Sequence, residues 1–461
     1  MTNADLLRQT AERAIRFLDS AASRHVGGRA DRAALAEALG GPVPEGAADP
    51  AAVLARLAEA ADPGIVASAG PRYFGFVTGG SVPVAVAADW LTSTWDQNGA
   101  MYTMSPAIAV LEDIVARWIV DILGLPAQSS VGFVSGAHMA NFTGLAAARH
   151  EVLRRAGWNV EEDGLQRAPK VRVIVGDEVH VSVVGALRML GIGARELVRV
   201  PVDQQGRMRG DRLAAILTDA AGPTIVCAQA GNVATGGSDP FEAVVDTAHA
   251  KNAWVHVDGA FGLWASAVPA LVDQIRGLAG ADSWTTDAHK WLNVPYDSGI
   301  AICAHPAPHR AAMSIHASYL ERGEDEQRIG MDWVPESSRR ARVIPLYALI
   351  RTLGRTGIQE MVARTCGLAR RMADRLAQSP RIRILNDVVL NQVLARFGDG
   401  DDSAADDQRT RDVIARVQAE GTCWAGGAVW QGQQVMRISI SNWATTETDV
   451  EQSAAAILRC S

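Results

Sequence analysis

The chain has 461 residues, of which 48% are hydrophobic and 21% charged, with a formal net charge of −7 at pH 7. This length predicts a large core and more than one structural unit. The acidic charge and the lack of a long basic run argue against nucleic acid as a partner. No apolar run reaches the roughly 18 residues of a membrane span, and the N-terminal sequence does not resemble a secretory signal, so the cytoplasm is the expected location.

The first predicted unit is a helical N-terminal arm over residues 1–85. Residues 4–24 and 48–62 carry apolar positions at helical spacing, separated by a Gly- and Pro-rich break. A smaller C-terminal α+β domain is predicted over residues 346–461, in which the acidic segment 398–407 is expected to be a solvated loop.

Between these regions, residues 86–345 are predicted to form a large α/β domain. Asp239, Pro240 and Glu242 are typical of a helix start, with the aspartate as the cap. Short apolar runs alternate with such helical segments, which predicts a doubly wound, mainly parallel sheet covered on both faces. The predicted strands have the sequences VRVIVGDE, ELVRVPVD, TIVCAQA, AWVHVDG, SWTTDA and GIAICAH.

The cysteines and lysines of the sequence limit the kinds of site that the chain can form. Five cysteines lack CxxC spacing, which predicts mostly buried free thiols rather than disulfides or a thiolate zinc site. The chain has only three lysines, Lys170, Lys251 and Lys290, so any chemistry that needs a side-chain amine has only these candidates. Lys170 and Lys251 precede predicted strands, whereas Lys290 follows one. Ligands collect at the carboxyl ends of strands in open α/β sheets, which favours Lys290.

Other polar residues are expected at the same edge as Lys290. Asp258 ends one predicted strand, Asp177 lies near the end of another, and Asn232 follows a third. Trp284 and Trp291 flank the lysine, and apolar surroundings favour the neutral amine, which can form an imine with a carbonyl. The sequence therefore predicts that Lys290 is a nucleophile rather than a surface amine.

At these residues the sequence resembles the group II pyridoxal-phosphate (PLP) amino-acid decarboxylases, the family of aromatic amino-acid and glutamate decarboxylases. The resemblance implies a fold type I PLP enzyme, usually a homodimer with active sites at the subunit interface, and a carboxy-lyase of amino-acid metabolism. It is carried by residues 72–83, 105–126, 132–149, 177–191, 254–262, 287–299, 337–340 and 437–442.

The resemblance assigns catalytic and cofactor-binding roles around the lysine. Lys290 matches the Schiff-base lysine, and His289 and Asp287 match neighbours of the cofactor phosphate. Many relatives have Asn in place of Asp287, and a carboxylate there would repel a phosphate unless it turned away or bound a donor such as Ser or Thr. Asp258 matches the aspartate that faces the pyridine nitrogen, and Ala260 the small residue against the ring. A carboxylate there keeps the ring nitrogen protonated, although a strand-end aspartate can also cap a turn.

Further residues are assigned in the same way. His180 matches the histidine that stacks on the ring, which can also transfer a proton; the alternative is a histidine that caps the next helix. The turn of Gly136, Ala137 and His138 corresponds to the phosphate-binding turn, where His138 departs from the usual Ser or Thr. Asn232 stands where relatives often have threonine.

The expected reaction is decarboxylation of an L-amino acid to its amine through a Lys290 Schiff base. In the aromatic decarboxylases a lid tyrosine returns the proton, but residues 321–340 contain no tyrosine. Aldehyde-forming oxidative deamination, carbon–carbon cleavage or bond formation, and transamination therefore stay open. Arg437 is expected to hold the substrate carboxylate or to form a structural ion pair. An aromatic or medium-sized apolar substrate is favoured, and its pocket would draw on Phe74, Phe76, Trp90, Trp95 and Trp333.

Two other classes of protein compete with this interpretation. A metal-dependent hydrolase would use His256, Asp258, Asp287 and His289, which are suitable ligand types. That arrangement leaves Lys290 without a role, so no metal is expected. A noncatalytic dimer that retains the fold is the third possibility.

Overall fold

The computed structural model describes residues 2–218, 222–315 and 327–461. The α-helices in these ranges are α1 (Asn3–Ser20), α2 (Arg32–Leu39), α3 (Pro50–Ala61), α4 (Pro83–Trp95), α5 (Pro106–Ile122), α6 (Ala137–Arg155), α7 (Val160–Asp163), α8 (Val181–Met189), α9 (Gly210–Thr218), α10 (Phe241–His249), α11 (Pro306–Met313), α12 (Val343–Leu376, with a non-helical break at Gly354), α13 (Ser403–Glu420) and α14 (Glu447–Cys460). The strands are β1 (Ser130–Val134), β2 (Arg172–Gly176), β3 (Val198–Val200), β4 (Thr224–Gln229), β5 (Trp254–Asp258), β6 (Ser283–Asp287), β7 (Gly299–Cys303), β8 (Ile382–Ile384), β9 (Gln392–Phe397), β10 (Gly426–Trp430) and β11 (Gln433–Ser439).

The chain divides into two compact units. One contains residues 1–80, 370–385 and 393–461, and the other contains residues 81–369 and 386–392. The N-terminal arm thus shares a unit with most of the C-terminal region. The division into three domains at residues 85/86 and 345/346 stays a prediction.

The larger unit is built on a seven-stranded sheet with the order β1-β7-β6-β5-β4-β2-β3. Strands β3, β2, β4, β5 and β6 are parallel, and β7 is antiparallel to both of its neighbours. Every residue of β5, β6 and β7 is buried, as expected for strands covered on both faces. The predicted doubly wound, mainly parallel α/β fold is confirmed.

This topology collects several strand ends at one edge of the sheet. Strands β2, β4, β5 and β6 are parallel, so their carboxyl ends lie on the same side. Strand β7 starts there, and Gly299 is in register with both Val134 of β1 and Asp287 of β6. The turn that follows β1 therefore lies beside the end of β6.

Two local predictions were wrong. Asp239 does not cap α10, because its carboxylate accepts hydrogen bonds from the backbone N–H groups of Met208 at 2.6 Å and Gln229 at 2.8 Å. The acidic segment is only partly a loop, since α13 begins at Ser403 and Asp402 accepts hydrogen bonds from the first-turn N–H groups. In both places a carboxylate, that of Asp239 or Asp402, accepts hydrogen bonds from backbone N–H groups, which the local composition does not predict.

The smaller unit contains a four-stranded sheet with the order β10-β11-β9-β8. Helix α13 packs against β10, β11 and α14. The N-terminal helices α1, α2 and α3 contain no buried residue. No helix within the described residues is long and apolar enough to cross a membrane. All five cysteines are free, and only Cys460 is not fully buried, which confirms the expected thiols.

Candidate active site

Lys290 lies three residues beyond β6, and its amine faces a carboxylate. The Nζ atom is 2.9 Å from Oδ2 of Asp287, and the lysine side chain is mostly shielded from solvent. The other two lysines are exposed: Lys170 pairs with Glu196, and the Nζ of Lys251 lies 3.5 Å from the carbonyl oxygen of Thr218. Lys290 is therefore the lysine that lies among the polar groups at the carboxyl edge of the sheet.

Asp287 connects the lysine to the first turn of α6. Its Oδ1 accepts a hydrogen bond from the backbone N–H of Ala137 at 2.5 Å, and its Oδ2 lies 3.6 Å from Nε2 of His289. A carboxylate at a helix N-terminus is stabilised by the unpaired N–H groups there. The sequence suggested a hydroxyl donor or an outward orientation for Asp287, whereas the structure gives it a backbone donor and an amine.

The turn beside Asp287 is tightly packed around two glycines. An added Cβ at Gly136 would lie 3.1 Å from Cε1 of His289, and one at Gly299 would lie 2.4 Å from the Cα of Gly136. The close approach of β7 to the Gly136–Ala137 turn therefore depends on the glycine at position 299. This close packing fixes the backbone N–H groups at the start of α6.

We expect Gly299→Ala to lower the free energy of unfolding by about 1–3 kcal/mol, because the added methyl group must displace packed backbone. Cofactor affinity should fall as the turn shifts. The matched control is Gly367→Ala in α12, where an added Cβ meets nothing within 4 Å. That change should stabilise the protein by about 0.5–1 kcal/mol. Urea denaturation and cofactor titration measure both effects, and equal stability of the two variants would contradict the prediction.

His289 lies between Asp287 and a neighbouring aromatic ring. Its Nδ1 accepts a hydrogen bond from the backbone N–H of Ser298 at 3.1 Å, and the centroid of its ring is 4.3 Å from that of Tyr296. Burial lowers the pKa of His289, Lys290 lowers it further, and Asp287 opposes the shift. The neutral ring must carry its proton on Nε2, which faces Asp287.

Asp258 is a buried carboxylate at the end of β5. Its Oδ1 accepts a hydrogen bond from the backbone N–H of Ala260 at 3.1 Å, and its Oδ2 accepts one from Nδ2 of Asn141 at 3.3 Å. Thr285 is in register with Asp258 on β6, and its buried Oγ1 has no hydrogen-bond partner among the described residues. Paired residues of parallel strands project from the same face, so this hydroxyl is available to a bound group.

His180 is the N-cap of α8, as its capping alternative predicts. Its Nδ1 accepts hydrogen bonds from the backbone N–H of Ser182 at 3.3 Å and from the Ser182 hydroxyl at 2.7 Å. Capping uses one ring nitrogen and leaves the flat faces of the imidazole for other contacts. The stacking role of His180 stays a prediction.

The remaining cofactor candidates have separate surroundings. His138 is exposed and lies over Gly185 of α8, where an added Cβ would be 2.9 Å from its Nε2. The side-chain oxygen of Asn232 accepts hydrogen bonds from the N–H groups of Ala234 at 2.8 Å and Thr235 at 3.2 Å. That oxygen therefore stabilises its own turn.

The hydrogen bonds of His256 argue against a metal-dependent hydrolase. Both of its ring nitrogens are occupied, Nδ1 by the Ser283 hydroxyl at 2.8 Å and Nε2 by Oδ1 of Asn141 at 2.9 Å. No group of three or more His, Cys, Asp or Glu side chains suited to a metal occurs in the described part of the chain. The four residues of the hydrolase hypothesis thus bind other protein groups.

Burial of two histidines should make the protein less stable in acid. Burial lowers the pKa of both His256 and His309 to about 4, against about 6.5 in the unfolded chain. Unfolding therefore takes up a proton at each histidine between pH 6.5 and 4, and the free energy of unfolding falls as pH decreases through this window. Each histidine contributes about 3 kcal/mol when the window has been crossed, at about 1.36 kcal/mol per pKa unit.

Urea titrations between pH 7 and 4.5 measure this slope, and His309→Gln should make it shallower by up to one proton. Burial raises the pKa of Asp239 to about 6, which acts in the opposite direction. The comparison between wild type and variant therefore isolates the histidine. An unchanged slope in His309→Gln would contradict the prediction.

The residues considered for the substrate lie in different environments. Phe74 is buried, Trp90 and Trp95 are exposed, and Phe76 is exposed with a positive φ of 54°. Trp333 is partly buried, and its ring lies 5.8 Å from the Arg328 guanidinium. These positions alone do not define a single aromatic pocket.

Two further substrate-related predictions concern Arg437 and the segment without tyrosine. Burial lowers the pKa of Arg437, which projects from β11 in the smaller unit.

Residues 321–326 of the segment 321–340 lie outside the described residues. In its described part, Arg339 donates hydrogen bonds to Oε1 of Glu112 at 2.6 Å and to Oε2 at 2.9 Å, within the core.

The fold and this site belong to a known class of enzymes. Residues 37–397 match the family model described as the pyridoxal-dependent decarboxylase conserved domain, so the chain belongs to that family. The chain is 26% identical over 416 residues to tryptophan decarboxylase 1 of Oryza sativa subsp. japonica, covering 85% of this chain and 80% of the relative. It is 25% identical over 412 residues to 4-hydroxyphenylacetaldehyde synthase of Rhodiola rosea, with coverages of 87% and 82%.

A solved structure supports the same assignment of fold. The crystal structure of Oryza sativa TDC with PLP and tryptamine superimposes with a TM-score of 0.92 at 22% identity, covering 99% of this chain and 97% of that chain. The protein is a fold type I, PLP-dependent enzyme of the amino-acid decarboxylase family, and its cofactor is pyridoxal phosphate. The site residues fit this group, because an amine, a buried carboxylate, close-packed glycines and a Thr285 hydroxyl without a partner in the described ranges lie at one sheet edge.

Four side chains of this site, those of Asn141, Ser182, Ser283 and Thr285, were not predicted from the sequence. Asn141 contacts Asp258, His256 and Ser182, while Ser182 contacts His180. Ser283 binds His256 from the start of β6. The helical spacing of apolar residues in α6 indicates that Asn141 is buried. The neighbouring sequence does not indicate which strand Asn141 faces.

Proposed function

We propose that the protein decarboxylates an L-amino acid with an aromatic or medium-sized apolar side chain to the corresponding amine. The observation that carries this proposal is the meeting of Lys290, paired with Asp287, and the buried Asp258 at one edge of the sheet. Bound pyridoxal phosphate supplies an electron-accepting ring, which stabilises the negative charge left when a bond at the substrate α-carbon breaks.

The chain's own residues would share the remaining tasks. Lys290 supplies the amine that holds the cofactor aldehyde, and Asp258 keeps the ring nitrogen protonated. The turn of Gly136, Ala137 and His138 at the start of α6 holds the phosphate through N–H groups other than that of Ala137, which donates to Asp287. His289 lies beside the phosphate, and Asn232 is a further cofactor-binding residue.

Two further residues would contact the cofactor ring. Ala260 leaves space for the ring, and His180 covers it and exchanges a proton with the substrate. The relatives named for tryptophan and 4-hydroxyphenylacetaldehyde support an aromatic substrate class.

A second candidate reaction forms an aldehyde. One relative is named an aldehyde synthase, and residues 321–340 lack a tyrosine that could return a proton to the α-carbon. In that reaction the amino acid, dioxygen and water give the aldehyde, carbon dioxide, ammonia and hydrogen peroxide. Dioxygen takes the two electrons that a proton would otherwise capture.

Product analysis separates the two reactions. The holoenzyme is incubated with L-tryptophan, L-tyrosine, L-phenylalanine, L-leucine and L-glutamate, and carbon dioxide, amine, aldehyde and peroxide are measured together. We expect equal amounts of carbon dioxide and amine from an aromatic or apolar substrate. Aldehyde and peroxide in equal amounts would establish the second reaction, and product without carbon dioxide would contradict both.

We also propose that the protein is a homodimer whose active sites lie at the subunit interface. Helices α1–α3 contain no buried residue yet carry exposed apolar side chains, among them Leu7, Ile15 and Leu57. A second copy is the partner that would cover this face. Analytical ultracentrifugation of Ile15→Glu/Leu57→Glu should show a weakened dimer, with Val43→Glu as a control at another exposed apolar position. A monomeric wild type would refute the proposal.

The cytoplasm is the location we propose. Four of the five cysteines are buried and all are free, as is usual where thiols are kept reduced. Cell fractionation with a tagged chain tests this location.

A further inference from the structure

A chain of hydrogen bonds runs from the interior of the sheet to Asp258. Nε1 of Trp254 is 2.9 Å from the Ser283 hydroxyl, which is 2.8 Å from Nδ1 of His256. Nε2 of His256 is 2.9 Å from Oδ1 of Asn141, and Nδ2 of Asn141 is 3.3 Å from Oδ2 of Asp258. All five side chains are buried, so water does not compete with these bonds.

The direction of every bond is determined by its two ends. The indole N–H of Trp254 only donates, and the Asp258 carboxylate accepts hydrogen bonds from Asn141 and from the backbone N–H of Ala260. Asn141 must therefore turn its amide nitrogen to Asp258 and its oxygen to His256, which then carries its proton on Nε2. The Ser283 hydroxyl accepts from Trp254 and donates to His256.

The direction has an electrostatic consequence. All four bonds donate toward Asp258, so each polarises the next and the chain stabilises the negative charge on that carboxylate. Burial lowers the pKa of His256 to about 4, so the imidazole is neutral near pH 7 and does not cancel the charge. The charge on Asp258 is therefore available to a protonated ring nitrogen.

Asn141 also binds a second part of the site. Its Nδ2 lies 3.3 Å from the Ser182 hydroxyl, which donates to Nδ1 of His180 at 2.7 Å. The two hydrogens of one amide group can thus serve Asp258 and, through Ser182, His180. One turn further along α6, a Cβ at Gly144 would lie 2.8 Å from Cε1 of His256, so glycine there makes room for the imidazole.

We propose that Asn141 is a positioning residue that fixes Asp258 and His180 relative to each other through the two hydrogens of its side-chain amide. This inference rests on the proposed roles of Asp258 at the ring nitrogen and His180 on the ring face. Asn141 acts through these residues and need not touch the substrate itself.

The test is Asn141→Asp in the holoenzyme, which keeps the shape but replaces the donor to Asp258 by an acceptor. We expect kcat at pH 8 to fall by about 10- to 100-fold, the value of a buried hydrogen bond to a charged group, with KM changed by less than about threefold. Lowering the pH should narrow the gap to wild type, because a proton shared with Asp258 restores the lost donor. The titratable groups that Asn141 reaches directly or through Ser182 are Asp258, His256 and His180.

Two measurements accompany kcat between pH 6 and 8.5. The absorption band of the bound cofactor should differ from wild type at high pH and approach it at low pH. Borohydride labelling of Lys290 should persist in the variant. A wild type that is not labelled would refute the proposed function. A labelled variant with the kcat and the spectrum of wild type would refute only this inference. A loss of kcat that is the same at every pH would also refute it.

Two more variants complete the design. Thr143→Val is the matched control, because Thr143 is equally buried on α6 and its hydroxyl donates only to the Met139 carbonyl oxygen of the same helix. Its kcat and spectrum should equal those of wild type. Ser182→Ala removes only the branch to His180 and keeps the proposal testable if Asn141→Asp does not fold. It should lower kcat by about 3- to 10-fold without the pH-dependent recovery, and an unchanged kcat would count against the proposal.

Discussion

Lys290→Arg is expected to lower turnover by about 10³-fold or more while leaving the fold intact. Arginine retains the positive charge that pairs with Asp287, but its guanidinium stays protonated and does not condense with an aldehyde. The loss therefore reports the missing nucleophile rather than an unpaired buried carboxylate. The measurements are kcat with the preferred substrate and mass spectrometry after borohydride reduction, which should find the cofactor on residue 290 in wild type only.

Lys290→Ala and Lys251→Ala are the two further variants of this experiment, the second as the control. The alanine at position 290 removes both the nucleophile and the partner of Asp287, so it should lose activity and also stability. Lys251 is exposed, and its Nζ lies 3.5 Å from the carbonyl oxygen of Thr218, so its replacement should leave both unchanged. Full activity of Lys290→Arg, or a reduced adduct on Lys251, would rule out the proposed role of Lys290.

The sequence was sufficient to predict the sheet and the edge at which Asp258 and Lys290 lie. Apolar strands separated by helices must be parallel and covered, so the residues that follow β5 and β6 had to lie on one side. Asp258 and Lys290 were predicted together for this reason. Lysine scarcity helped, because only one of the three amines follows a strand.

The contacts between these residues could not be predicted from the sequence. Asp287 binds the N–H of Ala137, 150 residues earlier, and Asn141 reaches His256 across 115 residues. Such bonds depend on where α6 lies on the sheet, which strand periodicity does not determine. The prediction that Asp239 caps α10 was wrong for the same reason, because its carboxylate binds the backbone N–H of Met208 instead of an N–H of the helix.

Asp287 stands at a position where the resembled family often has Asn, and the structure shows which groups balance its charge. Its carboxylate lies at the N-terminal end of α6 and 2.9 Å from the Lys290 amine. Both partners are positive, so the carboxylate is compatible with the phosphate site that we propose beside it. The residue type alone predicts only repulsion, because neither contact follows from the sequence.

Asp258→Asn is expected to leave the cofactor bound but to lower kcat by about 10²–10³-fold, the usual cost of losing a preorganised charge. The amide has nearly the same shape and can still accept a hydrogen bond from Ala260, but it carries no charge to keep the ring nitrogen protonated. Its amide nitrogen would also meet Nδ2 of Asn141, a donor facing a donor.

Asp258→Glu separates charge from position in this experiment. The longer side chain keeps the negative charge but must displace Asn141 or Ala260 in a packed site, so we expect an intermediate kcat. Cofactor content by absorbance and labelling of Lys290 show whether each variant is loaded, and steady-state kinetics give kcat and KM. A loaded Asp258→Asn enzyme with near-normal kcat would exclude Asp258 as the partner of the ring nitrogen, because no electrostatic role at that atom survives the loss of the charge.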